Sequence, residues 1–119
     1  MEIKNAMEIY FNKQREFWQT NFGTFTELSY HDKIDECMII PDSLNNEGNI
    51  QWQPVLQITS IDFSELEKNL DLNIHHQIKQ FFTSYWYLSL IGIIENTVLY
   101  FVSIPYGRDV LKLVKNAMI

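Results

Sequence analysis

Near the N-terminus apolar residues return at three- and four-residue steps, at Ile3, Ala6, Met7, Tyr10, Phe11, Phe17 and Trp18, with Lys4, Glu8, Asn12, Arg15 and Gln19 between them. That period predicts an amphipathic helix over residues 2–21 with its aromatic stripe in the core. Gly23 is placed to end it, because glycine takes the left-handed conformation of a helix terminus at little cost. The pattern then becomes strand-like. "ECMIIP" (36–41) is a short β-rich run, "DSLNNEGN" (42–49) is dense in turn formers, and "IQWQPVLQI" (50–58) alternates, so the three predict a long-looped hairpin. In its second strand Ile50, Trp52, Pro54, Leu56 and Ile58 share one face, and Gln51, Gln53, Val55, Gln57 and Thr59 share the other. Trp52 is thereby assigned to the core and Gln51, Gln53 and Gln57 to solvent. Pro54 has no amide donor, which places the strand at or near a sheet edge.

Further along, Asp62 with Glu65 three residues on has the spacing of a capping box ahead of Phe63, Leu66 and Leu70, and predicts a short helix. A second helix is expected over residues 73–86, burying Ile74, Ile78, Phe81, Phe82 and Tyr85. "YLSLIGII" and "TVLYFVSI" predict two strands around a turn at Glu95-Asn96-Thr97, apolar enough for both faces to be covered. In "GRDVLKLVKNAMI" one helical face collects Val110, Leu111, Val114, Ala117 and Met118. With neither glycine nor a polar exit at Ile119 this helix reads as interrupted, and its stripe as a surface for self-association, so a homo-oligomer formed through the C-terminal helix is an expectation. The order α, β, β, α, α, β, β, α predicts an α+β fold with a mainly antiparallel sheet flanked by helices.

The totals agree with one ordered domain over residues 1–119: the chain is 46% hydrophobic and 20% charged, with only four glycines and three prolines. A lone cysteine, Cys37, and no apolar leader point to a reducing compartment, read here as the cytoplasm. The longest uncharged run, Gln80 to Ile94, is fifteen residues, short of the roughly 20 that a spanning helix needs. Charge changes the picture more. The net charge is −6, and residues 27–71 hold ten acids against two bases. Such a segment repels phosphate backbones, which argues against nucleic acid, and attracts a basic protein partner.

Candidate chemistry is sparse. His75 and His76 are adjacent, so on a helix they point about 100° apart and do not suit a shared metal, for which three- or four-residue spacing is needed. Cys37 with His31 sketches a thiol and a base, but Cys37 heads an apolar run and is expected to be buried and inert. No phosphate-cradling glycine loop, nucleophile-elbow motif or zinc-ligand cluster is present in the sequence. Neither catalysis nor a cofactor is expected.

Three stretches, "ECMIIPDSLNNEGNIQWQPV", "NIHHQIKQFFTSYW" and "VLKLVKNAMI", resemble in order and spacing the Syd family of SecY-interacting proteins, within the wider SUKH superfamily of bacterial immunity domains. The most specific piece is Trp52-Gln53-Pro54 after the aliphatic run ending at Ile40. The resemblance implies a non-catalytic adaptor, peripheral to the cytoplasmic face of the inner membrane. It would present an acidic surface to basic cytoplasmic loops of the SecY translocation channel. It also implies further C-terminal elements beyond the segment matched here. The alternative within the superfamily is an immunity protein that neutralises a basic toxin such as a nuclease. Charge placement, not the resemblance, selects the candidate partner contacts: Asp32, Asp35, Glu36, Asp42 and Glu47, with Asp62 and Glu65 behind them.

Overall fold

The computed structural model describes residues 2–58, 60–94 and 96–118. It is α+β, and every strand pairing is antiparallel. Helix α1 spans Ile3–Phe22 and ends as expected at Gly23, which has φ 68° and donates its N–H to the Gln19 carbonyl at 3.0 Å. Strands β1 (Thr26–Ser29) and β2 (Asn49–Trp52) pair in the register Thr26 to Trp52. Strand β3 (Val55–Leu56) follows, then helices α2 (Ser64–Leu70) and α3 (His76–Ser84). Strand β4 (Tyr85–Trp86) pairs with β3, strands β5 (Ile91–Ile94) and β6 (Thr97–Tyr100) form a hairpin, and helix α4 covers Val110–Met118.

Trp52 is a core residue, 1% exposed. It is packed in one cluster with Met7 and Phe11 of α1, Met38, Ile50, Phe82, Tyr87 and Val114. Phe11 lies edge-on to Tyr85 at 5.4 Å between ring centroids, and Tyr87, fully buried, donates its hydroxyl to the Val102 carbonyl. Only the first half of the α1 stripe reaches this core. Phe17 and Phe22 are exposed and pack on each other instead, because α1 extends beyond the elements it covers.

Several local expectations change. "ECMIIP" is no strand: Glu36–Met38 is a turn of 3-10 helix, and only Ile39 makes a bridge, to Trp52. The partner of β2 is instead β1, to which no element was assigned from the sequence. With Ile40 N–H donating to Gln51 and Gln53 N–H to Met38, β2 is flanked on both sides. The edge begins only at Pro54. There the ladder stops and restarts at Val55 with the alternation shifted by one: Gln57 is buried, its amide donating to the carbonyls of Phe82 and Tyr85, while Ile58 is 92% exposed. A proline inside an alternating run thus inverts which face is wet.

Asp62 accepts from the Ser64 N–H and hydroxyl at the start of α2, as a cap should, although the residue at the helix boundary is Phe63. Helix α3 starts at His76, with the ring of His75 accepting from Gln77 N–H, and gives way to β4 at Tyr85. Ile74 and Phe82 are buried as expected, but Ile78 is exposed. The β5–β6 hairpin does not have both faces covered, since Val98 and Tyr100 face solvent, Tyr100 at 78%. Asn96 takes φ 66° in its turn, while Glu95 lies outside the described residues, as do Thr59 and Ile119. In α4 Val110 and Val114 are in the core, whereas Leu111 and Ala117 of the same stripe are exposed.

Trp52 sets a measurable prediction. Its indole N–H is buried without a partner, a cost of about 1–3 kcal/mol. Burying an aromatic side chain of 150–250 Å² gains roughly 4–6 kcal/mol, so packing wins. Trp52→Ala is therefore expected to lose about 3–5 kcal/mol in denaturant unfolding. A variant that melts like the parent would place Trp52 outside the core.

Candidate functional site

Three of the acids between residues 30 and 47, Asp32, Glu36 and Asp42, line one cleft, and the chain there is pinned at both ends. On one side Tyr30 N–H donates to Gly48, and Ile34 is buried, turning the chain back with its N–H on His31. Asp35 then caps the short 3-10 turn by accepting from Cys37 N–H at 2.9 Å, and Met38 drops into the core. On the other side Ser43 clamps Gln51, accepting its N–H at 3.0 Å. Asn45 holds the loop by accepting from both Glu47 and Asn49 N–H at 3.0 Å. Asp42 and Gly48 take positive φ, 58° and 81°, conformations that Asp and Gly tolerate where β-branched residues would not.

Between these walls lies a cleft of ≈ 590 Å³. Asp32, Glu36 and Asp42 line it. Apart from Ser43, its remaining surface is apolar or aromatic, from Tyr30, Ile34, Ile39, Pro41 and Leu44, with Ile50 at the floor. Tyr30 and Leu44 are half-exposed at the lip; neither was selected from the sequence, because no strand ending at Ser29 had been recognised to place them there. Three carboxylates over an apolar floor make a site for a cationic chain with apolar neighbours. Lys or Arg heads meet the acids while their stems lie on the floor.

The other selected acids do not join the cleft. Asp35 is committed to Cys37 N–H, a bond that holds its carboxyl below the usual range. Glu47 is exposed in the turn and does not line it. Asp62 is occupied at Ser64, whose hydroxyl and N–H lower its pKa, and Glu65 lines a separate depression of ≈ 500 Å³ with Lys112 and Lys115. Of the seven acids three line the cleft, Glu65 lines a depression that also holds two lysines, and Asp35, Glu47 and Asp62 line neither. Glu67, not selected, is structural: it accepts from Ile74 N–H at 2.7 Å and pairs with Lys79 at 3.2 Å.

No group of three His, Cys, Asp or Glu among the described residues is arranged to hold a metal ion. His75 and His76 are exposed and stacked at 4.4 Å between centroids. Cys37 is exposed rather than buried, because the run it heads turns as a 3-10 helix. Its thiol is nevertheless pushed up to about 11, first by partial desolvation and then by the hydrogen bond to Asp35 and that residue's charge. The raised value keeps the thiol protonated near neutral pH, so alkylation by iodoacetamide should be slow there and rise about tenfold per pH unit below the titration. Asp35→Asn removes the charge and leaves only a weaker, neutral acceptor, so it lowers the thiol pKa and speeds alkylation at fixed pH. A rate equal to that of free cysteine and unchanged by Asp35→Asn would contradict this.

The family model described as Syd protein (SUKH-2) matches residues 3–119. Protein Syd of Shewanella piezotolerans (strain WP3 / JCM 13877) is 22% identical over 85 residues, 71% of this chain. The match spans 40% of that relative's length. With its family model matched from α1 to the end of the chain, the protein belongs to the Syd (SUKH-2) family.

Proposed function

We propose that the chain is a non-catalytic adaptor whose cleft takes a basic segment of a partner protein, the cytoplasmic loops of the SecY translocation channel being the partner that family membership favours. The observation that carries this reading is the convergence of Asp32, Glu36 and Asp42 on one apolar-floored cleft. Their summed charge steers a cationic loop toward the site, and the floor receives the apolar part of the loop once it arrives. Binding of this kind places the protein at the cytoplasmic face of the membrane through its partner. Among the described residues no helix is long and apolar enough to cross a membrane.

The test is association of the full chain with SecY in nanodiscs. Raising salt from about 0.05 to 0.5 M shortens the Debye length from roughly 14 to 4 Å and should slow association at least tenfold, with a smaller effect on dissociation. Asp32→Asn with Glu36→Gln and Asp42→Asn should reproduce that loss at low salt. Asp62→Asn with Glu65→Gln should change it little, because those acids lie apart and Glu65 faces two lysines. Association indifferent to salt, or equal losses in the two variants, would defeat the cleft as the binding site. Tight binding to a basic nuclease toxin with none to SecY would move the function to immunity.

A further inference from the structure

The segment His31-Asp32-Lys33-Ile34 sends its charges to two different places. Asp32 lines the acidic cleft, whereas His31 and Lys33 line a second pocket of ≈ 180 Å³, and buried Ile34 is a wall common to both. Arg108, from just before α4, and Ser103 line the same second pocket. The floor is apolar, from Leu28, Ile34 and Leu88. In a chain of net charge −6, two permanent cations, an imidazole and a hydroxyl converge on a space sized for one oxyanion. The acids nearest in sequence are engaged elsewhere: Asp32 in the opposite cleft, and Asp109 accepting from Lys112 N–H at the start of α4.

A second, independent feature flanks the pocket-lining Ser103 and Pro105 along the chain. The chain that enters it carries Tyr100, Phe101 and Val102 in a row, all exposed, and Tyr106 follows, also exposed and edge-on to Trp86. Amphipathic aromatic side chains of this kind favour the headgroup layer of a bilayer. We propose that the pocket of His31, Lys33, Ser103 and Arg108 takes the phosphate of an anionic phospholipid while Tyr100, Phe101, Val102 and Tyr106 lie in the headgroup layer beside it. The acidic cleft plays no part in this contact, so the two readings stand or fall separately.

Flotation of the full chain with phosphatidylcholine vesicles, with and without phosphatidylglycerol, tests the idea. Binding is expected only with phosphatidylglycerol. Lys33→Gln with Arg108→Gln, both at exposed positions, should weaken it roughly 30-fold, about 1 kcal/mol for each cation removed from the surface. Tyr100→Ser with Tyr106→Ser should also weaken it, and Lys13→Gln on α1 should leave it unchanged. Equal binding to both vesicle types, no binding to either, or a double variant indistinguishable from Lys13→Gln would overturn the proposal. So would shifts of the His31 ring resonances with inorganic phosphate but no flotation, which would assign the pocket to a free anion. Competition by salt on the parent chain gives a readout that needs no variant.

Discussion

The structure depends on the pairing of β2 on both of its sides. Trp52 faces Thr26 of β1 on one edge and bridges Ile39 on the other, and its ring fills the centre of the core against α1 and α4. Because both edges of β2 are occupied, the two chain segments that flank it are held apart at a fixed distance, and the cleft opens beside them with Ile50 as its floor. The acidic site is therefore a by-product of how one strand is satisfied. A backbone donor or acceptor left unpaired here would cost about as much as a lost hydrogen bond, so neither neighbour of β2 is dispensable.

Pro54 limits what this strand can do. It cannot donate, so the ladder ends, and the chain re-enters pairing one residue out of phase against β4. That single step exchanges Gln57 for Ile58 as the buried residue, and the amide of Gln57 ties the start of β4 to the end of α3. Its second polar atom, Oε1, is buried without a partner, a cost that the two bonds from its nitrogen must offset.

Much of this was legible in the sequence where a local rule governs. The period of α1, its glycine terminus, the Asp62 cap and the burial of Trp52 each follow from a few neighbouring residues. What was not legible depends on distant partners. Thr26–Ser29 is too short and polar to announce itself, and becomes a strand only because β2 offers an edge. Ile39 pairs by one bridge, so "ECMIIP" can turn as a 3-10 helix despite its β-rich composition. For the candidate site, net charge marked the segment in which the cleft lies, yet it could not separate Asp32, Glu36 and Asp42 from acids spent on caps and turns. That division is made by hydrogen bonds to Cys37 and Ser64, which no count of charges contains.

The segment 31–34 also shows why a strongly acidic chain need not present one sign of charge. Residues 31–34 form a tight turn closed by the Ile34 N–H on the His31 carbonyl, so consecutive residues of opposite sign are sent to separate pockets rather than neutralised as pairs. His31 and Lys33 go one way and Asp32 the other, with Ile34 between the two spaces. At physiological ionic strength the Debye length is about 8 Å, so each pocket shows its own sign chiefly to groups at close approach. A net charge of −6 governs the encounter at long range. What is bound after contact is decided by which side of this short segment the ligand meets.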